Sequence, residues 1–172
     1  MTHALREPAG LAGLVLSSPF LGLAERSRPS PWLAAAGRVL AAVWPGALFP
    51  SGVDPALLSR DPTVGAAYAA DPLVSRTVSA GWYRAAKGAL ADAHERAASL
   101  RVPTLVLYAG ADGLVDPEAT ARWIGEAPRA RVEAFRYDGL YHEILNAPEK
   151  ADVLERMAGW ITRAIASDHG ME

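Results

Sequence analysis

An α/β fold built on a short parallel sheet is what this sequence predicts, and three features predict it. Two nearly unbroken apolar runs, LAGLVLSSP (Leu11–Pro19) and VPTLVLYAG (Val102–Gly110), are bounded by glycine and proline. Such runs read as strands buried on both faces, the kind found in parallel sheets. The C-terminal third alternates strand, helix, strand, helix, the grammar of a fold with right-handed crossovers. Between the two apolar runs lies a Pro-, Ala- and Trp-rich stretch, 22–100, too long for a single crossover helix.

Taken in chain order, the first strand is Leu11–Ser17, stopped by Pro19. The stretch 22–100 reads as helices at Pro31–Val43, a short pair around Pro55–Ala70 and a longer one near Val78–Ala98. Together they suit a helical cap inserted over the strand ends, with 1–21 and 101–172 forming the core beneath it. After the second strand, DPEATARWIGEA has Asp116 as N-cap, Pro117 at the first helical position and Trp123–Ile124 as an apolar patch. RVEAFRY (Arg131–Tyr137) alternates and is more polar, as suits a sheet edge. In the last helix Val153, Leu154, Met157, Trp160, Ile161 and Ile165 fall at helical spacing and are expected to face the core. The tail SDHGME is expected to fray.

Composition narrows the function classes. The 172 residues leave room for one domain with a sizeable core. A net charge of −2 without a basic stripe argues against a nucleic-acid partner. The absence of cysteine removes disulfides, thiolate metal sites and a cysteine nucleophile. MTHALREPAG lacks the apolar core of a signal peptide, and the longest apolar stretch, Pro31–Trp44, is interrupted by Arg38 and too short to span a bilayer. A soluble, cytoplasmic protein with at most transient contact with a membrane surface is the expectation. The four histidines are scattered, without a metal-binding spacing, and no phosphate-loop or dinucleotide fingerprint is present.

Chemistry in parallel sheets gathers in loops at the carboxyl ends of strands. Two such loops follow successive predicted strands here, YAGADGLVDP with Asp112 and YDGLYHEIL with His142. Alone, Asp112 is a turn former and His142 a solvated loop residue. As a pair they are two thirds of a Ser-His-acid triad, with Asp112 as acid and His142 as base. Asp116 is better placed as a helix cap, and His3, His94 and His169 read as surface residues. No serine completes the set. TVSAG (Thr77–Gly81) has threonine where the nucleophile elbow G-x-S-x-G has its first glycine, and Ser17 and Ser18 are followed by Pro19 and Phe20. Trp32, Leu33, Leu40, Trp44, Leu48 and Phe49 offer a lining for an acyl chain, or plain helix packing.

The motifs GLVLSSP, LSRDP, AYAADPLV, VPTLVLYAGADGLVDP and YDGLYHEILNAPE, in this order, resemble the monoacylglycerol lipase/lysophospholipase branch of the α/β-hydrolases, also called the serine aminopeptidase S33 or hydrolase-4 group. The resemblance runs from about Leu5 to Ala164 and implies a partial α/β-hydrolase fold with a helical cap. It also implies a serine-type carboxylic-ester hydrolase that acts on a small lipid ester and needs no cofactor. The family's acid and base map onto Asp112 and His142. GLVLSSP corresponds to the family's sixth strand and MTHALREP to the last turn of the helix before it. The expectation that follows is a chain truncated at its N-terminus, with the nucleophile serine upstream of Met1 or on a separate chain carrying the missing half. A non-catalytic ligand-binding module is the alternative.

Overall fold

The computed structural model describes the backbone of residues 1–169 and the side chains of 1–166. The expectations of a frayed tail and of a surface His169 therefore fall outside the described side chains. A one-turn helix α1 (Thr2–Arg6) leads into β1 (Leu14–Ser17). The middle segment holds α2 (Pro31–Val43), β2 (Leu48–Pro50), α3 (Pro62–Ala70), β3 (Thr77–Ser79) and α4 (Ala80–Glu95). Then follow β4 (Thr104–Ala109), α5 (Pro117–Glu126), β5 (Val132–Tyr137) and α6 (Lys150–His169).

The main sheet has the order β1-β4-β5, and both pairings are parallel, as the apolar runs predict. All six residues of the central strand β4 are buried. Its side chains alternate between two cores, as period-two geometry requires. Val106 and Tyr108 join Leu5, Leu21 and Trp123 on the face covered by α1, α5 and the end of α4. Leu105, Leu107 and Ala109 join Ile144, Val153 and Trp160 on the face covered by α6. The buried Trp123 indole N–H donates to the carbonyl of Ala93 at 2.9 Å, which fastens α5 to α4.

Helix starts follow local chemistry. Asp61 and Asp116 each accept a backbone amide two residues on, from Thr63 and Glu118, and each precedes a proline at the first helical position. Ser79 caps α4 by accepting from the Trp82 amide.

The sequence reading needs three corrections. The longer middle helix begins at Ala80 rather than Val78, because Thr77–Ser79 pairs antiparallel with Leu48–Pro50 in a second, two-stranded sheet. In α6, Val153 and Trp160 are buried and Met157 packs beside them, but Leu154, Ile161 and Ile165 are exposed. These three lie on a flank of the helix that the three-stranded sheet does not reach. Of the apolar side chains in and beside α2 and β2, Trp32 is 73% exposed, Trp44 67% and Leu48 69%, whereas Leu40 and Phe49 are half-buried and Ala41 is buried. No described helix is long and apolar enough to cross a membrane.

Candidate active site

Asp112 lies three residues beyond β4. Its Oδ1 accepts the amides of Leu114 at 2.8 Å and Val115 at 3.0 Å, the turn an aspartate before glycine favours. Its Oδ2 meets Nδ1 of His142 at 2.8 Å. An ionised carboxylate only accepts, so this contact assigns the Nδ1 proton to the imidazole and leaves Nε2 as the basic nitrogen. The Asp112 side chain is 1% exposed and that of His142 27% exposed, so the pair is dry at the acid end and open at the imidazole end.

Both loops are held by the backbone. Gly110 donates to the carbonyl of Tyr137 at 2.8 Å, and Ala111 to that of Leu140 at 3.1 Å. Gly110 allows this closeness, since a Cβ there would stand 2.6 Å from the Asp138 Cα. Leu140, 4% exposed, anchors the histidine loop in the core. The acid loop is pinned from its other side by the segment after β1. Ala24 donates to Leu114 O, Asp116 to Gly22 O, and the Ser27 hydroxyl to Gly113 O.

The other candidates fall apart from this pair. Asp116 caps α5 with Oδ1, while its Oδ2 pairs with Arg28 at 3.2 Å, in keeping with a structural role. His3 is exposed. His94, expected at the surface, is partly buried instead, with Nε2 3.0 Å from the Leu21 carbonyl, and it links α4 to the chain leaving β1. Among the described residues no hydroxyl hydrogen-bonds to His142 Nε2. Ser79 is committed to capping α4, and Ser17 is exposed at the end of β1.

Ser18 was underrated by sequence reasoning. It is buried, has φ +39°, the one positive φ among described residues other than glycine, and its hydroxyl has no partner. Such a backbone costs about 1–3 kcal/mol in a non-glycine residue. The abrupt apolar-to-proline ending SSPF was its only trace in the sequence.

Comparison with known proteins places this geometry in context. Residues 1–149 match the family described as serine aminopeptidase, S33 (Hydrolase_4). The chain is 34% identical over 160 residues to a monoacylglycerol lipase of Mycolicibacterium smegmatis, covering 92% of this chain and 56% of that protein. It is 35% identical over 146 residues to the phospholipase YtpA of Bacillus subtilis, covering 84% of this chain and 56% of that one. Among solved structures, the monoacylglycerol lipase of Paleococcus ferrophilus superposes with a TM-score of 0.88 at 30% identity, over 94% of this chain and 63% of that one. A soluble variant of the monoglyceride lipase of Saccharomyces cerevisiae shares the fold, with a TM-score of 0.83 at 18% identity over 95% of this chain and 57% of that one. The chain thus spans a little over half the length of the curated relatives it matches.

Proposed function

The chain belongs to the serine aminopeptidase S33 family of α/β-hydrolases, and from that membership we propose that it carries the acid and base of a serine-type carboxylic-ester hydrolase. The substrate in this reading is a small lipid ester, a monoacylglycerol or a lysophospholipid, in line with what the similar proteins are named for. Residues 22–100 act as the cap, and 1–21 with 101–172 as part of the catalytic core.

The observation that carries the reading is the 2.8 Å contact between Asp112 Oδ2 and His142 Nδ1 at the carboxyl ends of adjacent strands. His142 Nε2 takes the proton of a serine hydroxyl as its Oγ bonds to the ester carbonyl carbon. When the tetrahedral intermediate collapses, the ester C–O bond breaks and Nε2 returns that proton to the leaving alcohol. A water, deprotonated by the same nitrogen, then releases the acyl group as a carboxylic acid. Asp112 keeps the imidazole in the Nδ1–H tautomer and stabilises the imidazolium formed in each half-reaction. The nucleophile and the oxyanion donors come, in this proposal, from polypeptide outside residues 1–172. Alanine substitution at Asp112 and at His142, read as ester hydrolysis in the completed enzyme, is the test.

A further inference from the structure

The LSRDP motif lies in the middle segment, far in sequence from both Asp112 and His142, yet four consecutive residues before its aspartate touch the two loops that carry them. Leu57 rests against the acid loop: a methyl placed on Gly113 would lie 3.0 Å from Leu57 Cδ2. The Leu58 carbonyl accepts the amide of Glu143, the residue after His142, at 2.7 Å. The Ser59 hydroxyl donates to the Asn146 carbonyl at 3.1 Å and accepts the Asp61 amide at 3.1 Å. Arg60 pairs with Glu149 at the end of the same loop. Leu58 and Ser59 are buried, at 3% and 7% exposure.

We propose that Leu57–Arg60 is a positioning clasp that sets the place of His142, so that the attitude of the middle segment is transmitted to the acid–base pair. Hydrogen bonds at 143 and 146 and the ion pair at 149 tie the histidine loop to the middle segment, as the Ala111–Leu140 bond ties it to the acid loop. The backbone at 142–143 is thereby held between Asp112 and the clasp. Ser59 is the relay, because its one hydroxyl joins the N-cap of α3, at the Asp61 amide, to the Asn146 carbonyl. A shift of α3 therefore pulls on the strand-end loop that orients the imidazole. The Arg60–Glu149 pair is solvent-exposed and adds little stability, which suits a role in alignment. These are positioning residues, and their catalytic meaning rests on the function proposed above.

The test reads His142 directly in the 172-residue chain, so it does not depend on turnover. With ¹⁵N-histidine labelling, the Nδ1 proton held against Asp112 gives a downfield resonance. Ser59→Ala and Arg60→Glu are expected to broaden that resonance away and to speed hydrogen exchange at the Glu143 amide about fivefold or more, the loss of one hydrogen bond's worth of protection. The His94 resonances and the far-UV circular dichroism stay as in the parent. Ser59→Thr, and the swapped pair Arg60→Glu with Glu149→Arg, restore both signals. Arg60→Glu alters an exposed residue and keeps the test decisive if Ser59→Ala does not fold. Unchanged Nδ1 and Glu143 signals in both variants would overturn the clasp, as would the same losses in a distant control, Arg6→Ala. Loss and rescue in this chain, together with no ester hydrolysis once the chain is completed by a relative's missing part, would leave the clasp standing and remove the function proposed for it.

Discussion

The amide of Ala111 donates to the carbonyl of Leu140 at 3.1 Å, which makes the loop bearing Asp112 and the loop bearing His142 a single hydrogen-bonded unit. The side-chain contact at 2.8 Å is therefore prepared by the backbone before any substrate arrives. Preorganisation of this kind keeps the imidazole in one tautomer and one orientation without a cost at the moment of reaction.

Gly110 is where that unit is most easily broken. A Cβ there would meet main chain at Asp138, which cannot swing aside as a side-chain end could. Gly110→Ala is expected to cost about 2 kcal/mol, a fall in Tm of about 4–8 °C for a domain of this size. Differential scanning calorimetry measures it, and an unchanged Tm would show that the two loops have slack.

Trp123 is the largest fully buried side chain and also donates a hydrogen bond, to Ala93 O. Trp123→Ala should cost about 3–5 kcal/mol through the cavity it opens. Trp123→Phe fills most of that space but leaves the Ala93 carbonyl short of its donor, for a loss of about 1–3 kcal/mol. Urea titrations of the two variants that came out equal would assign the effect to the lost hydrogen bond rather than to volume.

Among the described residues β1 has a hydrogen-bonded neighbour on its β4 side alone. Its residues, LVLS, carry no charge, whereas β5 at the other edge carries Glu133 and Arg136. An uncharged open edge invites pairing with another strand. Sedimentation of the isolated chain should show concentration-dependent association, and Ser17→Lys, which puts a charge at an exposed position of that edge, should weaken it. A parent chain that stays monomeric at high concentration counts against an accessible β1 edge.

Much of this was legible beforehand because the signals were local. Pro31 after Ser30 and Pro117 after Asp116 mark helix starts, and α2 begins and ends where its apolar pattern does. Two of the three parallel strands follow from apolar runs that suit the inside of a sheet, and the third from an alternating run that suits its edge. Asp112 and His142 stood out because each lies in the loop after such a strand. The β2–β3 pair was hidden, since three-residue strands are too short to show a period of two and Pro50 argues against one. The outward faces of α2 and α6 were hidden for another reason: helical spacing shows that apolar residues share a stripe but not which neighbour covers it. The strained backbone of Ser18 had only the SSPF ending as a trace, because φ is a tertiary outcome. The clasp at Leu57–Arg60 depends on contacts across more than fifty residues of sequence, as in the Leu57–Gly113 and Ser59–Asn146 contacts, which no local pattern encodes.

The central claim is that Asp112 and His142 act as acid and base in ester hydrolysis, and one measurement tests it most directly. The chain is joined to the part of the Mycolicibacterium smegmatis relative that the match leaves uncovered, and hydrolysis of short p-nitrophenyl esters and monoacylglycerols is followed. The joined protein is predicted to turn over ester, the 172-residue chain alone to give none above buffer. His142→Ala or Asp112→Ala in the joined protein should lower kcat by about 10³-fold or more, since triad members act as a unit. A joined enzyme whose kcat is untouched by His142→Ala, or ester turnover by the 172-residue chain alone that survives that substitution, would contradict the account.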